Sequence, residues 1–351
     1  MPRPASLRPS ALARQFRRAL LLVALAGTMK FAWEYETTRR PLRLASEAPH
    51  PFRVEPGANA ESIGRSLHEL GFVSYPWLFR AYVLQRGDGA RLRAGDYSFS
   101  GSLTLEELVD KLVEGEVVRH DVTFPEGRSL LEMAELAAAK GLPADEFLKA
   151  ARDPAAVHDL DPDATDLEGY LFPDTYDVSR RPAAAAVLVA RMVHRFREVI
   201  SPELPGLVSR GLRLREVVTL ASLVELETAR ADERGRIAAV LLNRLKKGML
   251  LQTDPTIIYA LRKADSWDGN IRKRDLAIES PYNTYRYPGL PPGPIGSPGR
   301  EALLAVIAPA DVKDLYFVSR NDGSHEFSET LAQHERAVDR FQRRRPRVQG
   351  S

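Results

Sequence analysis

The pattern of apolar and polar residues changes period several times along the chain. Ala19 to Met29 is apolar or small throughout and directly follows a group of arginines. Residues 34–50 are polar, contain Pro41 and Pro49, and read as a linker. Phe52-Arg53-Val54 then reads as a strand ended by Pro56-Gly57. Ile63, Leu67 and Leu70 recur at helical spacing until Gly71, and a second helix is expected over Pro76–Gln85. Ala94 to Phe99 reads as a turn entering a strand. Leu105, Leu108, Val109, Leu112 and Val113 form an amphipathic stripe. Thr104 and Glu107 make a capping box at its start, and Gly115 closes it.

Beyond residue 119 the rhythm is mostly helical. Val122 to Gly127 is a strand leading into a turn, and helical spacing follows near 129–140, 144–152 and 182–200. Further helices are expected over Arg215–Thr228, Ile237–Leu245 and 331–343. Leu315 to Val318 and His325 to Phe327 flank Asn321-Asp322-Gly323, a hairpin signal.

Composition narrows the class. With 351 residues the chain has room for about two domains plus an appendage. Its 44% apolar content supports a sizeable core. Cysteine is absent, which excludes disulfides, thiolate nucleophiles and zinc ribbons. The net charge of +3 is local, because Arg3, Arg8, Arg14, Arg17, Arg18 and Lys30 stand among residues 1–30 with no acid. The remainder is net −3 and has no general polyanion-binding character. Arg343, Arg344, Arg345 and Arg347 lack interleaved aromatics and read as a solvated tail, so no nucleic-acid partner is expected.

The apolar run is short beside the roughly 20 residues that a membrane span needs. Lys30 can snorkel, Trp33 would join the aromatic belt, and the arginines would keep the N-terminus inside. A single-pass anchor is therefore expected, with the N-terminus in the cytoplasm and residues 34–351 outside. The rival is a signal peptide cleaved at Ala24-Leu25-Ala26. Both readings export the body of the chain.

Candidate chemistry centres on the helix Arg215–Thr228. Val217, Leu220, Ala221 and Val224 form its apolar centre, with Arg215, Thr219 and Ser222 roughly opposite. Glu225 lies on the flank of that apolar face, where desolvation raises a carboxyl pKa toward that of a general acid. Glu227 is about 200° further round, so the two carboxylates cannot face one site. Taken alone, an ion-paired helix-edge glutamate is the stronger reading of Glu225. Gln252-Thr253-Asp254-Pro255 is either a substrate-positioning loop or a helix cap. Tyr282-Asn283-Thr284-Tyr285, before a Pro/Gly-rich run, suits sugar rings or a buried tyrosine cluster. The aromatics of Leu167 to Tyr176 either pack the core or wall a groove. Gly296-Ser297-Pro298-Gly299 is not a nucleophile elbow, because Ile295 takes the place of the required glycine. The Asp161–Phe172 stretch lacks the glycine and glutamate of a calcium loop. There is no P-loop or zinc-protease motif, and the histidines are scattered, so neither cofactor nor metal is expected.

Several of these segments together resemble the MltG (YceG-like) endolytic murein transglycosylases. They are Leu167-Glu168-Gly169 with Phe172-Pro173-Asp174-Thr175, Ala221 to Thr228, Asn243-Arg244-Leu245, Leu251 to Pro255, Tyr282 to Tyr285 and Gly289 to Ile295. The resemblance covers nearly all of the chain after the apolar run. It implies an α+β fold with a membrane anchor (1–33), a linker (34–50), a small LysM-like subdomain (51–118), a catalytic domain (119–345) and a tail (346–351). It also implies Glu225 as the catalytic residue, and Gln252, Tyr282, Asn283 and Tyr285 as substrate-binding residues. Leu226 stands where many members have a lysine and is expected to point away from the catalytic side. The implied reaction cleaves the β-1,4 bond between N-acetylmuramic acid and N-acetylglucosamine with formation of 1,6-anhydro ends, terminating nascent strands. Implied partners are glycan strands, the membrane and peptidoglycan synthases. The rival functions are a non-catalytic peptidoglycan-binding scaffold and a hydrolytic muramidase with Asp254 as second carboxylate.

Overall fold

A computed structural model describes residues 11–42, 48–100, 103–118, 121–178, 185–209 and 211–343. Arg3, Arg8, Arg344, Arg345, Arg347 and the tail 346–351 lie outside the described residues. The chain divides into two compact units, residues 1–119 and 120–351. The class is α+β, with helices and small two-stranded antiparallel sheets.

The first unit begins with helix α1 (Ala11–Glu34), which a π-helical turn (Tyr35–Arg39) continues. Strands β1 (His50–Val54) and β2 (Gly95–Phe99) pair antiparallel, with Phe52 opposite Tyr97. Between them run α2 (Ala60–Glu69) and α3 (Pro76–Arg86), and α4 (Leu105–Glu114) follows. The expected capping box of Thr104 and Glu107 is present, with Glu107 N donating to Thr104 Oγ1 at 3.2 Å. The α4 stripe is buried as the spacing predicts, and it closes a core with Phe52, Phe72, Phe79 and Phe99.

Two expectations for the N-terminal segment change. Among the described residues, no helix is long and apolar enough to cross a membrane. The run Ala19–Met29 is bounded by Arg17, Arg18 and Lys30, which leaves it short of a span of about 20 residues. Trp33 does not fit an aromatic belt. Its indole donates to Gln85 Oε1 at 2.7 Å, and its ring packs against the core of the first unit. Thr37 is buried, and Pro41 forms a β-bridge with Thr104.

The second unit is mostly helical. β3 (Asp121–Thr123) pairs antiparallel with β4 (Thr175–Asp177), and α5 (Leu130–Ala138) and α6 (Ala144–Ala151) lie between them in sequence. α7 (Ala185–Ile200) and α8 (Leu204–Ser209) lead to α9 (Leu214–Glu227), α10 (Ala231–Lys246), α11 (Asp254–Lys263) and α12 (Arg300–Ile307). The expected hairpin is β5 (Tyr316–Ser319) with β6 (His325–Ser328), turned through Asn321 at φ +66°. α13 (Leu331–Val338) continues as a π-helical turn (Asp339–Arg343), so the helical segment covers the expected 331–343. α9 packs against α10, α11 and α12, which makes it the centre of this unit.

Candidate active site

α9 carries Glu225 at its C-terminal end. Val217, Leu220, Ala221 and Val224 are buried, as the apolar spacing predicts. Thr219 and Ser222 are buried as well, because neighbours surround this helix. Ser222 is satisfied in place: its Oγ donates to Thr219 O at 2.7 Å and accepts from Ile295 N at 3.1 Å. That contact fastens the Pro/Gly-rich loop across α9. The loop continues by pairing with the turn after β3, where Gly127 N donates to Ser297 O (2.7 Å) and Ser297 N to Arg128 O (2.9 Å). A Cβ at Gly296 would lie 2.5 Å from Gly127 O, so only glycine allows this approach.

The loop delivers Gly299 to Glu225. Glu225 Oε2 accepts from Gly299 N at 2.9 Å, and Oε1 accepts from Arg234 Nη2 at 3.3 Å. The Glu225 side chain is only 6% exposed. A second carboxylate is close by. Arg234 Nη2 is also 3.8 Å from Glu126 Oε2, and a Cβ built on Gly299 would fall 1.8 Å from Glu126 Oε1. Glu126 and Glu225 thus flank Gly299 and share one guanidinium.

Burial pushes the Glu225 carboxyl above its ordinary range, and the Glu126 charge adds to that. The Gly299 N–H and Arg234 oppose the rise without cancelling it. Such a carboxyl keeps its proton to higher pH than a free glutamate does, can give it up, and is then stabilised as a carboxylate by the same two donors.

Glu227 sits in different surroundings, as its angular offset requires. Burial and the nearby Asp254 carboxylate push its carboxyl up, while Arg244 opposes. Asp254 Oδ1 accepts from Tyr285 OH at 2.5 Å. Asp254 and Tyr285 therefore join Glu227 rather than Glu225.

The other motif residues fall into place around this frame. Gln252 has φ +52°, an exposed side chain, and a backbone N–H that donates to Thr284 O at 3.1 Å. Thr253 and Thr256 bond to Thr284, which knits the two motif loops together. Asn283 is fully buried. Its Nδ2 donates to Leu276 O and Ile278 O, and its Oδ1 accepts from Tyr285 N, so its amide holds the loop. Tyr282 packs on Tyr259 at 4.8 Å between ring centroids. Tyr170, Leu171, Phe172 and Tyr176 are buried in the core, which decides against a groove. Glu168 is buried too, accepting from Leu130 N at the start of α5 and from Tyr259 OH in α11.

A cavity of about 290 Å³ is lined by Glu126, Gly127, Leu226, Ile258, Tyr259 and Ile295 among others; Glu225 is not part of the lining, but its Cγ would lie 3.7 Å from a Cβ on Gly127. Leu226 therefore does not point away from the site. It lines this cavity, because its Cδ2 would lie 3.0 Å from a Cβ on Gly127. A larger cavity, about 800 Å³, lies along α9 against Val217, Leu220, Leu242 and Leu245, and Glu225 does not line it.

Sequence reasoning missed Glu126, Arg234 and Gly299. Glu126 was visible only as part of a turn. Gly299 belongs to the Gly296–Gly299 segment, which fails as a nucleophile elbow yet supplies the amide that holds Glu225.

Comparisons with known proteins agree in direction. The YceG-like family matches this chain over residues 52–340. The chain is 27% identical to a Bacillus subtilis (strain 168) protein named endolytic murein transglycosylase, over 86% of this chain and 87% of that protein. It is 30% identical to a protein of the same name from Streptococcus pneumoniae D39, over 91% of this chain and 63% of that protein. It thus spans less than two thirds of the pneumococcal protein's length. A crystal structure of a yceG-like protein from Listeria monocytogenes superposes with a TM-score of 0.59 at 30% identity, covering 83% of this chain and 99% of that one.

Proposed function

This chain belongs to the YceG-like family, and from that premise we propose that it is a peptidoglycan lytic transglycosylase that cuts glycan strands with Glu225 as acid and base. The observation that carries the reading is the setting of Glu225. It is a buried carboxyl with a raised pKa, held by Gly299 N–H and Arg234 and close to Gly127, which lines a cavity.

The protonated Glu225 donates to the glycosidic oxygen between the muramyl C1 and the glucosaminyl residue, and that C–O bond breaks. The resulting carboxylate takes the proton of the muramyl C6 hydroxyl. The C6 oxygen then bonds to C1 and closes a 1,6-anhydro ring, and Glu225 is protonated again. One carboxyl serves both steps, so no water and no second carboxylate are consumed. Gly299 N–H and Arg234 stabilise the charge that Glu225 carries between the steps. Tyr282 and Gln252 are the sequence candidates left with side chains available to a sugar. Tyr285 acts through Asp254, and Asn283 by holding the loop.

The same reading places the body of the chain on the periplasmic face of the inner membrane, where it would end nascent strands beside a synthase. Exposed Leu20, Leu21, Leu22 and Val23 behind Arg17 and Arg18 support membrane attachment through α1. The strand–helix–helix–strand order of residues 50–99 supports a LysM-like role in holding glycan.

A second reading draws on Glu126. A paired carboxylate next to Glu225 suits hydrolysis by water, and Glu126 fits that part better than Asp254. Purified glycan strands digested with wild type and with Glu225→Gln, and analysed by mass spectrometry, separate these readings. Anhydro ends that fall by about 10²–10⁴-fold in the variant are expected. Reducing ends would support hydrolysis, and uncut strands with retained binding would support a scaffold.

A further inference from the structure

The cavity that Gly127 lines near Glu225 holds two arginines that the cutting reaction does not use. Arg128, Glu132 and Arg262 line it together with Gly127 and Leu226. Glu132 is fully spent. Its Oε2 accepts from Ser129 N (3.1 Å) and Ser129 Oγ (2.9 Å), closing the cap of α5. Its Oε1 accepts from Arg128 Nη1 at 2.8 Å and pairs with Arg262 Nη1. Burial alone would push Glu132 up. The donors from Arg262, Ser129 and Arg128 outweigh it and hold the carboxylate below its ordinary range. Glu132 is therefore held as a carboxylate between the two guanidiniums of Arg128 and Arg262.

Arg262 carries a sign of an absent partner. Its Nε is buried and bonds to no protein acceptor. A buried guanidinium donor left unpaired is unfavourable, and the planar fork of arginine matches a carboxylate. The other acid in the lining, Glu126, has Arg234 at 3.8 Å. The rest of the lining includes Pro255, Ile258, Tyr259 and Ile295. At about 290 Å³ the space takes a small substituent rather than another sugar pair.

We propose that this cavity is a subsite for an anionic substituent of the glycan, with Arg262 binding its carboxylate. The proposal rests on the reading that Glu225 cuts a muramyl glycan. A muramyl ring carries a lactyl ether. Its carboxyl is either free or joined to a peptide that has carboxylates of its own. A glucosaminyl ring carries neither. The subsite therefore tells the two rings apart next to Glu225 and sets which glycosidic bond is presented.

The test measures kcat/KM for wild type and Arg262→Gln on three strands. One bears peptides, one is stripped to free lactyl carboxylates, and one is stripped and then methyl-esterified. Wild type should prefer a carboxylate-bearing strand over the esterified one by about tenfold, the scale of a charge-assisted hydrogen bond. Arg262→Gln should remove that preference. Preference for the peptide-bearing strand assigns the carboxylate to the peptide, and preference for the stripped strand assigns it to the lactyl group. Either outcome supports the subsite. Leu226→Glu, at an exposed position on the rim, should shrink the same ratio even if Arg262→Gln unfolds. Equal rates of wild type on all three strands, or an equal fall on all three in both variants, would overturn the subsite while leaving the cutting reaction standing. Failure of wild type to cut any strand would overturn the cutting reaction, and this proposal with it.

Discussion

At the scale of single residues, Glu225 is governed by three neighbours whose effects differ in sign. Burial and Glu126 raise its pKa, whereas Gly299 N–H and Arg234 lower it. A general acid loses activity as pH rises through its pKa. Glu126→Gln removes a like charge, so Glu225 should deprotonate at lower pH and the alkaline limb of the pH–rate profile should move acidward. Arg234→Gln should move the same limb the other way. Profiles of kcat/KM for both variants check this, and shifts in one common direction would show that the carboxylates are not coupled through Arg234. Periodicity located Glu225 on a flank and separated it from Glu227, and the structure keeps that separation. Glu126 could not be found that way. It is nearly a hundred residues away in sequence and reaches the site only because the 126–128 turn pairs with the 297–299 loop.

At the scale of elements, close backbone approach and buried contacts between helices hold the site together. Gly299→Ala would set a Cβ 1.8 Å from Glu126 Oε1, the far end of a flexible side chain. The chain should fold with a small loss of stability, below about 1 kcal/mol, while Glu126 is displaced. Cutting should weaken and the alkaline limb should move acidward as in Glu126→Gln. Thermal unfolding beside a pH–rate profile distinguishes this from a general folding defect. Glu168 ties the start of α5 to Tyr259 of α11, and burial pushes its carboxyl up to about 8. The folded chain keeps that proton where the unfolded chain has lost it, so its contribution to stability falls as pH rises from about 4.5 toward 8. Glu168→Gln should flatten the decline of Tm between pH 5 and pH 8 relative to wild type. Parallel Tm curves would mean that Glu168 ionises freely.

At the scale of the whole molecule, two separate cores account for two units. The first core draws on residues that composition assigned to an anchor and a linker. Trp33 and Leu42 pack against it, and Thr37 is buried. A fragment of the first unit starting at residue 48 should therefore be less stable than one starting at residue 31, by about 1–3 kcal/mol, the worth of a large side chain removed from water. Urea titration of the two fragments gives the difference, and equal midpoints would show that residues 31–42 add nothing to the unit.

The sequence by itself determined the elements and the line of chemistry. The α4 stripe, its capping box, the β5–β6 hairpin and the buried apolar face of α9 follow from local spacing and turn chemistry, which act over a few residues. It also determined that Glu225 and Glu227 face different ways, because helical geometry is local. Only the tertiary structure decided which polar residues are spent in the fold and which remain for chemistry. Asn283 holds its loop, Tyr285 serves Asp254, Ser222 fastens Ile295, and Trp33 leaves the membrane belt for a core. Each of these outcomes depends on a partner distant in sequence or on the closing of a loop. Residue spacing carries no information about either. The site around Glu225 is the clearest case: α9 supplies the acid, but Gly299, Arg234 and Glu126 come from three other segments that only folding brings together.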